Sequence, residues 1–248
     1  MRLRQVALVA GELAPVRSAL MALFGLTSDF RDPGVSEFGL ENSVMVIGDK
    51  FLEVVAPVEP GTTAQRQLDK QGGDGGYMVL LQIHDFEKYR DRTEALGVRK
   101  VWQTDQPGTR AFHLHPRDIG GAIVSLDWMG RWDDWTWGGP DWRERRAGNA
   151  SDILAVELRA AQPDVMAARW AEILDQDVVS AGERYSIRLP DEGEISFRPA
   201  LAGETEGVCG LTLKVSDQTA LEAAAARLGL NLQGNRLIAG GVEMTFIS

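Results

Sequence analysis

Apolar and polar positions along the chain fall into four successive blocks with one shared order. Each has a short apolar strand, an acidic or polar turn, a stretch with an apolar face at helical spacing, and a closing Leu-Gly or its equivalent. The strands cover residues 5–9, 78–83, 153–158 and 210–215, and the helical stretches cover 13–23, 86–95, 165–173 and 218–227. Asp85, Asp164 and Asp217 stand where a carboxylate accepts a backbone N–H at a helix start. Gly25, Gly97 and Gly229 stand where a helix end takes a left-handed residue. Val165, Ala168, Trp170 and Ile173 place apolar groups mainly on one side, as do Leu221, Ala224, Ala225 and Leu228, which is the mark of a helix covering a sheet.

A hairpin follows each helix. Residues 42–47 and 51–56 flank Gly48-Asp49-Lys50, and 110–114 and 122–126 flank a turn over 116–121. Residues 185–189 with 194–198, and 235–238 with 242–247, repeat the arrangement. Gly120-Gly121 recurs as Gly240-Gly241 just before the last strand of each half, which argues for duplication. The pattern predicts an α+β fold of four β-α-β-β-β modules in two domains, residues 1–127 and 150–248, joined by a segment over 128–149. Five of the seven tryptophans, Trp128, Trp132, Trp135, Trp137 and Trp142, fall at or in this connector. A disordered linker is poor in aromatics, so the indoles are expected to pack. Gly72-Gly73-Asp74-Gly75-Gly76 reads as a flexible loop between modules, because it precedes a strand rather than a helix.

Bulk properties narrow the function classes. The 248 residues carry 26 basic and 36 acidic side chains, a formal net charge of −10, which disfavours a nucleic-acid partner. No apolar stretch approaches a membrane span, and Val6-Ala7-Leu8-Val9 is too short for a signal-peptide core. The single Cys209 excludes an internal disulfide and a cysteine-based zinc site, so a cytoplasmic location is expected. Dinucleotide fingerprints, phosphate loops and nucleophile elbows do not occur.

The segments Gln5-Val6-Ala7-Leu8-Val9, Leu23-Phe24-Gly25-Leu26 and Gly48-Asp49-Lys50-Phe51-Leu52-Glu53 resemble the first module of a glyoxalase-like domain. Gly75-Gly76-Tyr77, Ile83-His84-Asp85, Phe112-His113-Leu114-His115-Pro116-Arg117-Asp118 and Gly120-Gly121 resemble the second. The chain is thus similar to the vicinal oxygen chelate superfamily, which includes glyoxalase-like, bleomycin-resistance and extradiol dioxygenase proteins. The likeness is good over residues 1–127 and weaker over 150–248. It implies curled sheets forming a cup that commonly holds a divalent metal, with ligands at one position on the first and last strand of each module. Carried over, these positions are Gln5, Glu53, Met78 and Ser125, and in the second half about Ala155, Ser196, Gly210 and Thr245. Met78 and Ser125 depart from the usual ligands, and the second half offers none. The second domain is therefore expected to be a degenerate copy.

The candidate pocket is lined by Gln5, Phe51, Glu53 and Ser125, with Glu53 as catalytic carboxylate or metal ligand. Glu53 lies in a strand apolar on both faces, a costly place for a charge unless it binds or pairs with something. His113 and His115, two apart on a strand, are alternative metal ligands, against which stands a helix-capping role for His115 and a buried structural role for His113. Two functions remain open. One is a metal-dependent lyase, isomerase or ring-cleaving dioxygenase acting on a small oxygenated molecule. The other is a metal-free protein that binds or sequesters a small molecule, in the manner of the bleomycin-resistance relatives. The expected partner is a small-molecule ligand, with pairing into a homodimer left open.

Overall fold

A computed structural model describes residues 1–146 and 148–248. The first module comprises β1 (Arg2–Val9), α1 (Leu13–Phe24), β2 (Leu40–Ile47) and β3 (Lys50–Pro57). Helix α2 (Thr63–Gln71) leads into the second: β4 (Gly75–Gln82), α3 (Phe86–Ala95), β5 (Lys100–Gln106), β6 (Thr109–Leu114), the single-turn α4 (Pro116–Ile119) and β7 (Ile123–Met129). The third is β8 (Ala150–Ala160), α5 (Pro163–Leu174), β9 (Val179–Ala181), β10 (Arg184–Arg188) and β11 (Glu194–Pro199). The fourth is β12 (Gly207–Val215), α6 (Gln218–Arg227), β13 (Arg236–Ala239) and β14 (Val242–Ile247). The strands form two mixed seven-stranded sheets, ordered β2-β3-β1-β4-β7-β6-β5 and β13-β14-β12-β8-β11-β10-β9, each ending on two edges rather than closing into a barrel.

The α+β fold of four repeated modules expected from the sequence is present, with a variation. The second and third modules have a full strand, β5 or β9, directly after the helix. In the first and fourth, only single bridges, Phe30 to Val44 and Gln233 to Arg236, stand in that place. Between α1 and β2 the chain turns through a 3-10 helix at Pro33–Phe38, and Pro33 has no N–H to give a ladder. Between α6 and β13 only a short polar stretch is available.

The compact units are interleaved in sequence. One comprises Met1–Arg4, Met78–Thr136 and Ala155–Val208, and so joins the second and third modules. The other comprises Gln5–Tyr77, Trp137–Leu154 and Cys209–Ser248, joining the first and fourth. In the former, α3 packs on α5, and Asp175 holds both Lys88 (2.7 Å) and Arg92 (3.2 Å). In the latter, α1 packs on α6, with Leu8, Val16 and Leu20 gathered at Gly240.

Several local expectations are corrected. Asp85 and Asp217 do cap their helices, accepting from Lys88 N (3.0 Å) and Ala220 N (2.9 Å), but Asp164 does not. Helix α5 starts at Pro163, whose fixed φ suits the first helical position, so Asp164 falls inside the first turn. Gly75 and Gly76 begin β4 instead of lying in a loop. Helix α2 escapes a reading by periodicity because only Ala64 and Leu68 are buried along it. Of the connector indoles, Trp135 and Trp142 are buried and Trp128, Trp132 and Trp137 are half-buried.

The repeated glycine pairs have a steric reason. Gly120, Gly121, Gly240 and Gly241 all have positive φ. At Gly241, φ is +74° and an added Cβ would lie 1.9 Å from the carbonyl oxygen of Asp74. At Gly229, φ is +66° but nothing lies within 4 Å. Gly229→Ala is therefore expected to cost about 1–2 kcal/mol, the left-handed backbone penalty alone. Gly241→Ala should cost clearly more, since backbone must also move. Urea midpoints of the two variants check this, and equal losses would contradict it.

Candidate functional site

Strand β1 runs parallel to β3 with Gln5 beside Phe51 and Ala7 beside Glu53. Strand β2 runs antiparallel to β3 with Val44 opposite Glu53 and Asn42 opposite Val55. Because side chains alternate along a strand, Gln5, Ala7, Asn42, Val44, Phe51, Glu53 and Val55 share one face. The opposite face carries the covering helix: Leu8 gathers with Val16 and Leu20 of α1 around Gly240. Glu53 thus points away from α1.

Glu53 is 7% exposed and both of its oxygens are engaged. Gln5 Nε2 donates to Oε2 at 2.8 Å, and Asn42 Nδ2 donates to Oε1 at 2.6 Å. The orientation of Asn42 is set independently, because its Oδ1 accepts the backbone N–H of Asp32 at 2.9 Å. Only the amide nitrogen remains to face Glu53. Burial pushes the Glu53 carboxyl up to about 7; the two amide N–H groups oppose the rise and the Asp32 charge adds to it. The neighbouring Tyr77 phenol is pushed up to about 12, by burial first and by the Glu53 charge second.

Phe51 closes one end of this face. Its ring meets Trp142 edge-on at 5.2 Å, and Gly138 lies so close that a Cβ there would sit 2.4 Å from Phe51 Cε1. Three of the four expected pocket residues, Gln5, Phe51 and Glu53, are therefore on one wall. The fourth, Ser125, belongs to the other compact unit. There it sits on β7 opposite His113 of β6, with its hydroxyl buried and without a hydrogen-bond partner among the described residues.

The two histidines have separate surroundings. His113 lies against the Trp102 ring, centroids 4.5 Å apart, and burial of its ring pushes it down to about 3, so it is neutral at physiological pH. His115 precedes α4 and its Nδ1 accepts the backbone N–H of Arg117 at 3.1 Å. Asn42 and Tyr77 escaped the sequence reading. For Asn42 a signal existed: it is a polar residue at the position of β2 that a hairpin register brings next to the Glu53 row.

The divalent metal implied by the resemblance needs several oxygen or imidazole donors around one point. Within the unit that holds Glu53, the set is one carboxylate with both oxygens already bonded to amide N–H groups. Among the described residues no three His, Cys, Asp or Glu side chains gather as metal ligands. These residues do not fit such an ion.

No family model matches the chain. Over 135 residues it is 27% identical to an ethylmalonyl-CoA/methylmalonyl-CoA epimerase of Cereibacter sphaeroides, a match spanning 51% of this chain and 96% of the relative. Among solved structures, a hypothetical protein from Staphylococcus aureus superposes with a TM-score of 0.68 at 10% identity, covering 99% of this chain and 98% of the other. A mutant 4-hydroxymandelate synthase from Streptomyces coelicolor gives 0.67 at 14% identity, over 92% and 75% of the chains. An Mn(II)-bound glyoxalase from Novosphingobium aromaticivorans gives 0.60 at 12% identity, over 99% and 81%. No helix among the described residues is long and apolar enough to cross a membrane. The repeated modules, the two open mixed sheets and these likenesses show that the chain has a glyoxalase-like fold, similar to that of vicinal oxygen chelate proteins.

Proposed function

We propose that the chain catalyses proton transfer at a carbon beside a carbonyl group of a small oxygenated molecule, with Glu53 taking and returning the proton. One observation carries this reading: a buried carboxylate on the sheet face turned away from α1, held at both oxygens by Gln5 and Asn42. The Glu53 carboxylate removes the proton, and the C–H electron pair moves toward the carbonyl to give an enolate. The resulting carboxylic acid returns the proton once the planar enolate has turned its other face toward it, so the net change is an isomerisation without redox chemistry. A carboxyl titrating near neutrality suits both halves of such a cycle. The partial sequence match to an epimerase of acyl-CoA esters supports substrates with an acidic C–H beside a carbonyl. The second reading, a protein that only holds a small apolar ligand, is favoured by the covering of Phe51 by Trp142.

Exchange of the α-proton for deuterium, followed by NMR over a panel of 2-oxo acids and 2-methyl acyl thioesters, tests the proposal. Glu53→Gln is expected to slow exchange by roughly 10²–10⁴-fold, the usual contribution of a positioned acid or base. Wild-type exchange should rise with pH through about 7 as the base form appears. Absence of exchange with every compound, or a Glu53→Gln variant as fast as wild type, would contradict it.

Stability gives a pH prediction that does not require a substrate. The carboxyl has a higher pKa folded than its ordinary 4.5, so its favourable contribution is complete below about 4.5 and is lost as pH rises through about 7. The loss amounts to about 3 kcal/mol. Wild type is therefore expected to lose stability between pH 5 and 8, and Glu53→Gln to lose markedly less. Parallel curves for the two proteins would show that Glu53 is not the group responsible.

A further inference from the structure

We infer that Asn42 occupies the place of a cation at Glu53, so that this face of the sheet is built to work without a divalent metal. The inference does not depend on Glu53 moving a proton; it concerns only what holds the carboxylate. An acidic side chain in a sheet wall needs compensation at each oxygen. In a metal site an ion supplies it. Here two amide N–H groups supply it, at 2.6 Å from Asn42 and 2.8 Å from Gln5.

Asn42 is the decisive partner because it cannot turn round freely. Its Oδ1 is held by the backbone N–H of Asp32 at 2.9 Å, its own backbone carbonyl accepts Arg31 Nη1 at 2.6 Å, and the residue is 2% exposed. Rotating the amide to offer oxygen to an ion would place its NH₂ against the Asp32 N–H, donor against donor. Each buried polar group left unsatisfied costs about 1–3 kcal/mol. The ion would also have to displace an N–H from Glu53 Oε1 and would gain in return one shared carboxylate and neutral amide oxygens. Divalent ions bind tightly where several anionic oxygens or imidazoles converge, and this wall does not supply them. Asp32, the other carboxylate felt by Glu53, contributes its backbone N–H to the Asn42 lock.

The test uses the full-length chain, thermal unfolding and metal content after equilibrium dialysis, with EDTA or with Mn²⁺, Ni²⁺ or Zn²⁺. Wild type is expected to show no stoichiometric uptake and the same Tm in every condition. Asn42→Asp replaces the amide donor by a second carboxylate at contact distance from Glu53. It should unfold at a lower Tm in EDTA, regain stability on addition of a divalent ion and take up one ion per chain. The double variant Asn42→Asp/Glu53→Gln should lose that uptake. If Asn42→Asp does not fold in EDTA, its refolding on addition of Mn²⁺ gives the same result. One ion per wild-type chain, lost in Glu53→Gln, would overturn the inference, and so would an Asn42→Asp variant indifferent to every ion.

Discussion

A carboxylate buried in a sheet wall must be hydrogen-bonded at both oxygens, and the three-strand register around Glu53 is what meets that demand. Parallel pairing of β1 with β3 sets Gln5 one row from Glu53, and antiparallel pairing of β2 with β3 sets Asn42 one row away on the other side. A one-residue slip of either neighbour would turn its amide to the helix-covered face and leave one Glu53 oxygen unpaired. A buried polar atom left without its partner costs about 1–3 kcal/mol. The register is in turn held by the Gly48-Asp49 turn, where φ at Gly48 is +63°, and by the apolar opposite face under α1.

The same economy of backbone appears at the modular level. Two modules keep a strand after the helix and two reduce it to a bridge, and one of each kind lies in each sheet. In the first module α1 covers one sheet face, and Glu53 lies on the other. That other face is apolar except for Gln5, Asn42 and Glu53 along β1, β2 and β3, a contrast that suits the proposed role of Glu53.

Much of the fold was legible because its signals are local. Four amphipathic helices, the glycine ends of three of them and the hairpins after them are written in residues a few positions apart. The strands β5 and β9 were not legible, since edge strands such as Lys100–Gln106 are mostly polar and show no clean alternation. The candidate site was legible in part. Glu53 stood out as a charge between apolar neighbours, and Gln5 came from the family pattern. Asn42 was signalled only by the β2–β3 hairpin register, and its lock by the Asp32 N–H is written in neither strand. The His113 and His115 spacing was suggestive, but the strand ends at Leu114, so His115 serves as a helix cap instead.

The central claim is that Glu53 is a buried carboxyl sharing its site with amide donors, and titrating near neutrality because of burial. The side-chain carboxyl ¹³C shift of glutamate-labelled protein, followed from pH 4 to 9 and assigned by Glu53→Gln, measures this directly. The account predicts one glutamate resonance with an inflection near pH 7 that disappears in the variant. A Glu53 resonance already at its ionised position at pH 5.5, unchanged up to pH 9, would contradict it.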